Sequence, residues 1–270
     1  MNHLQRELAP ISDEAWEQID GDAKARLSTY LAARRLVDFN GPRGWDFSSL
    51  NLGRTSEVAN GAPGGVEIRS RQVLPVVELR VPFTLDRQEL AAAGRGAADI
   101  DLGPLEAAAS SIALAENSAV FHGLAAGGIT GIVEASSHDP IEVGGGVQEY
   151  ANYVAHAVRA LLEAGIGGPF GLALSSDVWT TVVESTEFGG YPLLEHLRKA
   201  ILDGPIVWTP GMKGGVVLSQ RGGDFRFESG EDLSVGYLDH GRDEVTLYLE
   251  ESFTFKVDEP DAAIALVVRQ

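Results

Sequence analysis

The chain is 270 residues long and 44% apolar, enough for one elaborate domain or two interleaved ones and too apolar for wholesale disorder. A net charge of −18 excludes the nucleic-acid backbone as main partner, because too few cations are present to displace its counterions. With no cysteine there are no disulfides, zinc–thiolate sites or cysteine nucleophiles, which fits a cytosolic protein.

The opening MNHLQRELAP carries charges where a signal peptide needs an apolar stretch. A helix follows, capped by Ser12 or Asp13, with Trp16, Ile19, Ala23, Leu27 and Leu31 at helical spacing and Asp20, Lys24 and Ser28 on the other side. It is predicted to end around Arg34–Val37, before Asn40-Gly41-Pro42. Its apolar stripe must dock on later residues or on another chain. From Gly41 to Gly65 the composition loosens into Gly, Pro, Asn and Ser. Val66, Ile68 and VLPVVELRVPFTL then read as strands, giving a long β-hairpin arm with a Gly-rich tip at 60–65. Such an arm is uncommon on a compact domain and makes its contacts elsewhere.

Residues 101–123 read as a helix with Pro104 in its first turn, and 148–163 as another. PFGLALSS (169–176) and PIVWTPG (205–211) read as buried strands. Between them lie a helix over 177–183, a loop over 184–191 and a helix over 192–202. Near the end, VVLSQRGGDFRF, DLSVGYL and EVTLYLEESFTFKV are predicted as three strands, with turns at Ser229-Gly230 and His240-Gly241. In the last, Val245, Leu247, Leu249, Phe253, Phe255 and Val257 share one parity, and Thr246, Tyr248, Glu250, Ser252, Thr254 and Lys256 the other. The expectation is one buried face and one wet, polar face. The apolar run 262–268 is far too short to span a bilayer.

Little of this points to catalysis. His240 lies between Asp239 and Asp243, but in a turn that favours Asp, Gly and His for backbone reasons. The six histidines show no HExxH or H-x-H spacing. Glu250 and Glu251 point to opposite faces of a strand and cannot act on one substrate. GIGGPFG (165–171) lacks the dinucleotide fingerprint and the Walker lysine, and no G-x-S-x-G elbow occurs. No catalytic residue, metal or cofactor is expected.

Six motifs in order tell more. LQRELAPISDEAWEQID, RRLVDFNGPRGW, VPFTLDRQEL, RGGDF, DLSVGYLDH and ESFTF resemble the encapsulins, shell proteins of bacterial nanocompartments, along essentially the whole chain. The resemblance implies an α+β fold of the Hong Kong 97 phage-capsid type. Residues 1–45, 76–133 and 222–270 would form the peripheral domain, 46–75 the extended loop and 134–221 the axial domain. It further implies self-assembly into a closed icosahedral shell of a multiple of sixty subunits in the cytoplasm, without membrane or nucleic acid. A cargo enzyme, a dye-decolorising peroxidase or ferritin-like iron oxidase, would dock through a C-terminal targeting peptide.

The groove implied for that peptide lies between the first helix and the C-terminal sheet, with Leu27, Leu31, Arg34, Asp38, Leu233, Val235 and Tyr237 as candidates. Arg34 and Asp38 are expected one helical turn apart, bracketing the peptide backbone. By the same analogy, Glu184, Ser185, Thr186, Glu187, Phe188, Gly189, Gly190 and Tyr191 ring a fivefold pore, with the glutamates attracting cations. Some encapsulins stack flavin on a Trp in the segment that here reads LDRQEL. Arg87-Gln88 stands there, so no flavin is expected. A phage major capsid protein shares the fold but not the cargo-type opening motif. A bacteriocin- or protease-like activity has no nucleophile–base pair to support it.

Overall fold

The computed structural model describes residues 3–58, 64, 66–144, 149–186 and 190–268. Helix α1 (Asp13–Tyr30) begins as expected, Ser12 Oγ accepting from the Ala15 amide at 3.3 Å. It ends sooner than the periodicity predicts. The amides of Ala32 and Ala33 are both taken by Asn117 Oδ1 at 3.0 Å, and the chain tightens into a 3₁₀ turn, Ala33–Arg35. A tertiary contact thus stops a helix whose sequence would allow it to continue.

The chain continues through β1 (Asp38–Asn40), the antiparallel pair β2 (Ser49–Glu57) and β3 (Arg69–Pro75), β4 (Val77–Asp86), α2 (Arg87–Ala93) and α3 (Gly103–His122). A second run carries α4 (Ile132–Ala135), β5 (Ile141–Val143), α5 (Tyr150–Glu163), β6 (Phe170–Leu174), α6 (Ser176–Glu184) and α7 (Leu193–His196). The helix predicted over 192–202 is real, but its second half, Leu197–Leu202, is π-helical. The last strands are β7 (Ile206–Trp208), β8 (Gly215–Ser219), β9 (Phe225–Ser229), β10 (Ser234–His240), β11 (Glu244–Val257) and β12 (Ala263–Val268).

Two five-stranded sheets organise them. The first has the order β1-β9-β11-β10, with β4 also pairing with β11; the second runs β5-β12-β8-β6-β7. β2 and β3 form a separate two-stranded sheet, the predicted arm. VVLSQRGGDFRF is therefore not one strand. It breaks at Gly222 and Gly223, both with positive φ (83° and 85°), where Arg221 and Asp224 pair across the turn. Its halves enter different sheets. The segment expected as peripheral, 222–270, divides likewise: β12 leaves the first sheet and inserts between β5 and β8.

The polar face expected on β11 is not wet. Glu250, Ser252 and Thr254 are buried; Arg80 of β4 holds Glu250, and Ser252 Oγ accepts from the Glu231 amide at 2.8 Å. The Arg43 and Gly44 amides donate to the carbonyls of Ser229 and Gly230, and Trp45 stacks on His3. Two apolar cores result. One joins α1, α2, the first half of α3 and the first half of β11. The other surrounds the second sheet and takes the ends of the same two elements, Ala119–Phe121 and Phe253–Phe255. α3 and β11 are the shared spine.

Candidate functional site: a groove between the first helix and the sheet

The stripe on α1 buries Trp16, Ile19, Ala23 and Leu27 against α3 and the first sheet. Toward its C-terminal end the helix and β10 diverge and leave an open groove of about 380 Å³. Its floor is Leu27 and Leu31 from the helix end, with Leu233, Val235 and Leu249 from the sheet. Leu4 and Arg6 of the N-terminal strap border it. Asp20, Lys24 and Ser28 form a polar rim, and Arg34 with Asp232 closes one end. An apolar floor under a charged rim suits an extended peptide that buries a few side chains and leaves its backbone near water.

Five of the seven predicted residues meet here: Leu27, Leu31, Arg34, Leu233 and Val235. Asp38 does not. Once α1 has stopped, the chain enters β1, and Asp38 accepts from the Gly223 amide at 2.6 Å in a separate small polar cavity beside Leu36 and Gln220. Arg34 and Asp38 are therefore not one helical turn apart and bracket nothing together. Tyr237 also lies outside the groove. It is buried in the core, its amide donating to the Leu4 carbonyl and its hydroxyl bonded to His240 Nδ1. That bond gives His240 a structural partner. Among the described residues no cluster of three or more His, Asp or Glu is placed to hold a metal.

The strap is the part that sequence reasoning missed. Arg6 pairs with Asp20 at 2.7 Å and lies 3.9 Å above the Trp16 ring centroid, which holds Leu4 against the groove. Its available signal was the apolar Leu4 set among the polar His3, Gln5 and Arg6. Arg34 is no freely reaching side chain: Glu116, Asp232 and Glu251 all hold it, at 2.5–2.7 Å. Burial works against its charge, but Glu116 and Glu251 outweigh that and hold the guanidinium above its ordinary value. On the opposite face of β11, Glu250 binds Arg80, so the two adjacent glutamates do point apart as expected.

In the predicted pore loop, Glu184 closes α6, and Ser185 Oγ donates to the Thr181 carbonyl at 2.6 Å. Thr186 bridges to Pro192, Gly190 has φ of 80°, and Tyr191 is exposed. Glu187, Phe188 and Gly189 lie outside the described residues. Among those described, no helix is long and apolar enough to cross a membrane.

Two five-stranded sheets, the long helix α3 and a separate two-stranded arm make up an α+β fold of the Hong Kong 97 capsid type. The fold is similar to the virus-like particle of Pyrococcus furiosus, with TM-score 0.61 and 16% identity over 92% of this chain and 97% of that one. It is also similar to a structure from Mycobacterium phage Bobi, with TM-score 0.56 and 15% identity over 89% and 91%. Residues 1–254 match the family described as encapsulating protein for peroxidase. The chain is 47% identical to the type 1 encapsulin shell protein of Rhodospirillum rubrum, over 98% of its own length and 96% of that protein. It belongs to the type 1 encapsulin family, and its role is that of a shell protein.

Proposed function

We propose that copies of this chain close into an icosahedral shell of a multiple of sixty subunits around a cargo enzyme, a dye-decolorising peroxidase or a ferritin-like iron oxidase. The cargo's C-terminal targeting peptide docks in the groove beside α1. The groove itself carries this reading: an open apolar floor on a face that the family resemblance turns toward the lumen. Burying two or three peptide side chains there supplies about 1.5–3 kcal/mol each before ordering costs. Single docking is then weak, and an oligomeric cargo binds by avidity.

The shell acts as a container in the bacterial cytoplasm, without catalysis or flavin of its own, and the loop 184–191 lines a pore for small substrates or ions. Such a shell carries on the order of a thousand negative charges. Backbone and apolar contacts between copies must outweigh that repulsion, which salt screens beyond roughly 8–10 Å. Leu31 and Leu233 are only half-buried, so Leu31→Asp with Leu233→Asp alters the groove without opening the core. We expect intact shells that no longer co-purify cargo; full cargo retention would sink the assignment.

A further inference from the structure

Three carboxylates from three parts of the chain converge on one guanidinium. Glu116 of α3 and Glu251 of β11 are 0% and 1% exposed, and Asp232 reaches in from the turn before β10. Arg34 Nε donates to Glu116 Oε2 at 2.7 Å, Nη1 to Asp232 Oδ1 at 2.5 Å and Nη2 to Glu251 Oε2 at 2.7 Å. One oxygen of each acid is thereby satisfied. The remaining Oε1 atoms of Glu116 and Glu251 are buried and meet no donor among the described residues. Yet one nitrogen, Arg34 Nη2, lies 2.6 Å from Glu116 Oε2 and 2.7 Å from Glu251 Oε2, so the two carboxyls are immediate neighbours across it. Two ionised carboxylates offer only acceptors, so this contact is a hydrogen bond only when one of them keeps its proton.

The charged groups facing the pair are Arg34, from the 3₁₀ turn, and Asp232. From β4 the residue opposite Glu251 is apolar Leu79, and the rings of Phe39 and Phe227 lie against the guanidinium. Among the described ion pairs, Arg34 is the one cation on either glutamate.

We propose that Glu116 and Glu251 share a single proton in the assembled protein, and that this proton is a latch. Base removes it, leaving three negative charges around one guanidinium, two of them on glutamates buried away from water. Arg34 and Asp232 are then no longer held together, and the end of the groove that they form loosens.

Burial lifts both carboxyls above their ordinary value of 4.5, most strongly Glu251, where the neighbouring Glu116 adds to it. A proton kept by the folded chain but not by the unfolded one makes stability fall as pH rises. The pair's contribution is fully present below 4.5 and is lost as pH climbs through the raised value.

The test uses cargo-free assembled shells. Infrared difference spectra between about pH 6 and about pH 10 should show the carbonyl band of a protonated carboxyl disappearing in the wild type. Glu251→Gln places a permanent amide donor against Glu116 and should abolish that band. Its melting temperature should also fall less with rising pH than that of the wild type, and Glu116→Gln should behave the same way. Absence of a protonated-carboxyl band at neutral pH overturns the proposal, as does an unchanged pH slope in either variant. If neither variant assembles, the wild-type spectrum alone decides.

Discussion

The arm and the spine are both built from β-strands, and they differ in what their side chains meet. β11 is buried on both faces for most of its length, with β4 and β10 along one half and β9 along the other. Among the described residues β2 and β3 pair only with each other, and Val58, Val66, Ile68 and Val73 in or beside them are more than one-third exposed. Isolated two-stranded ribbons are marginal in water. Free ladder edges and uncovered apolar side chains are therefore what another copy would satisfy. The spine is completed by its own chain; the arm is left with its edges and apolar side chains uncovered.

That contrast can be broken from either side, and the spine should respond most. Arg34→Met strands Glu116 and Glu251 without a cation, which should cost about 3–5 kcal/mol. Chemical denaturation of disassembled subunits would measure the loss, and subunits as stable as wild type would contradict the role given to the cluster. Deleting 60–65, the tip expected from sequence, which apart from Gly64 lies outside the described residues, should do the reverse. Particles in negative-stain images should become fewer or malformed, while the circular dichroism of the subunit is unchanged. Ser12→Ala removes only the cap of α1 and should cost about 1 kcal/mol, read as a small fall in denaturation midpoint. Smallest of all, Glu187→Gln should leave stability and assembly alone and lower only the cation dependence of an encapsulated enzyme's rate.

Legibility followed the same division. The arm, α3, β10 and β11 were readable because each follows from periodicity and turn residues within about twenty neighbours, whereas VVLSQRGGDFRF hid a break at Gly222-Gly223. Asp38 was misplaced because the stop of α1 at Tyr30 is imposed by Asn117, 87 residues away in sequence. Its side chain accepts from two amides and donates to the carbonyls of Tyr30 and Pro210. Nothing local to Arg34 announces that. Tyr237 lies outside the groove for a related reason: it shares a strand face with Val235, but it is buried in the core with its hydroxyl tied to His240 and its amide to the Leu4 carbonyl. The polar parity of β11 was read correctly as a pattern and wrongly as an exposed face. Alternation reports which side chains share a side, and only the segments laid over that side decide whether water reaches it.

The sequence by itself determined the family, through six ordered motifs, and the elements whose hydrogen bonds close locally. The tertiary structure decided where α1 stops, which sheet receives β12, and that Glu116, Asp232 and Glu251 share one arginine. Burial is the physical reason. It is a property of everything packed around a residue, and in this chain Arg34 and the buried Glu251 that holds it stand 217 residues apart.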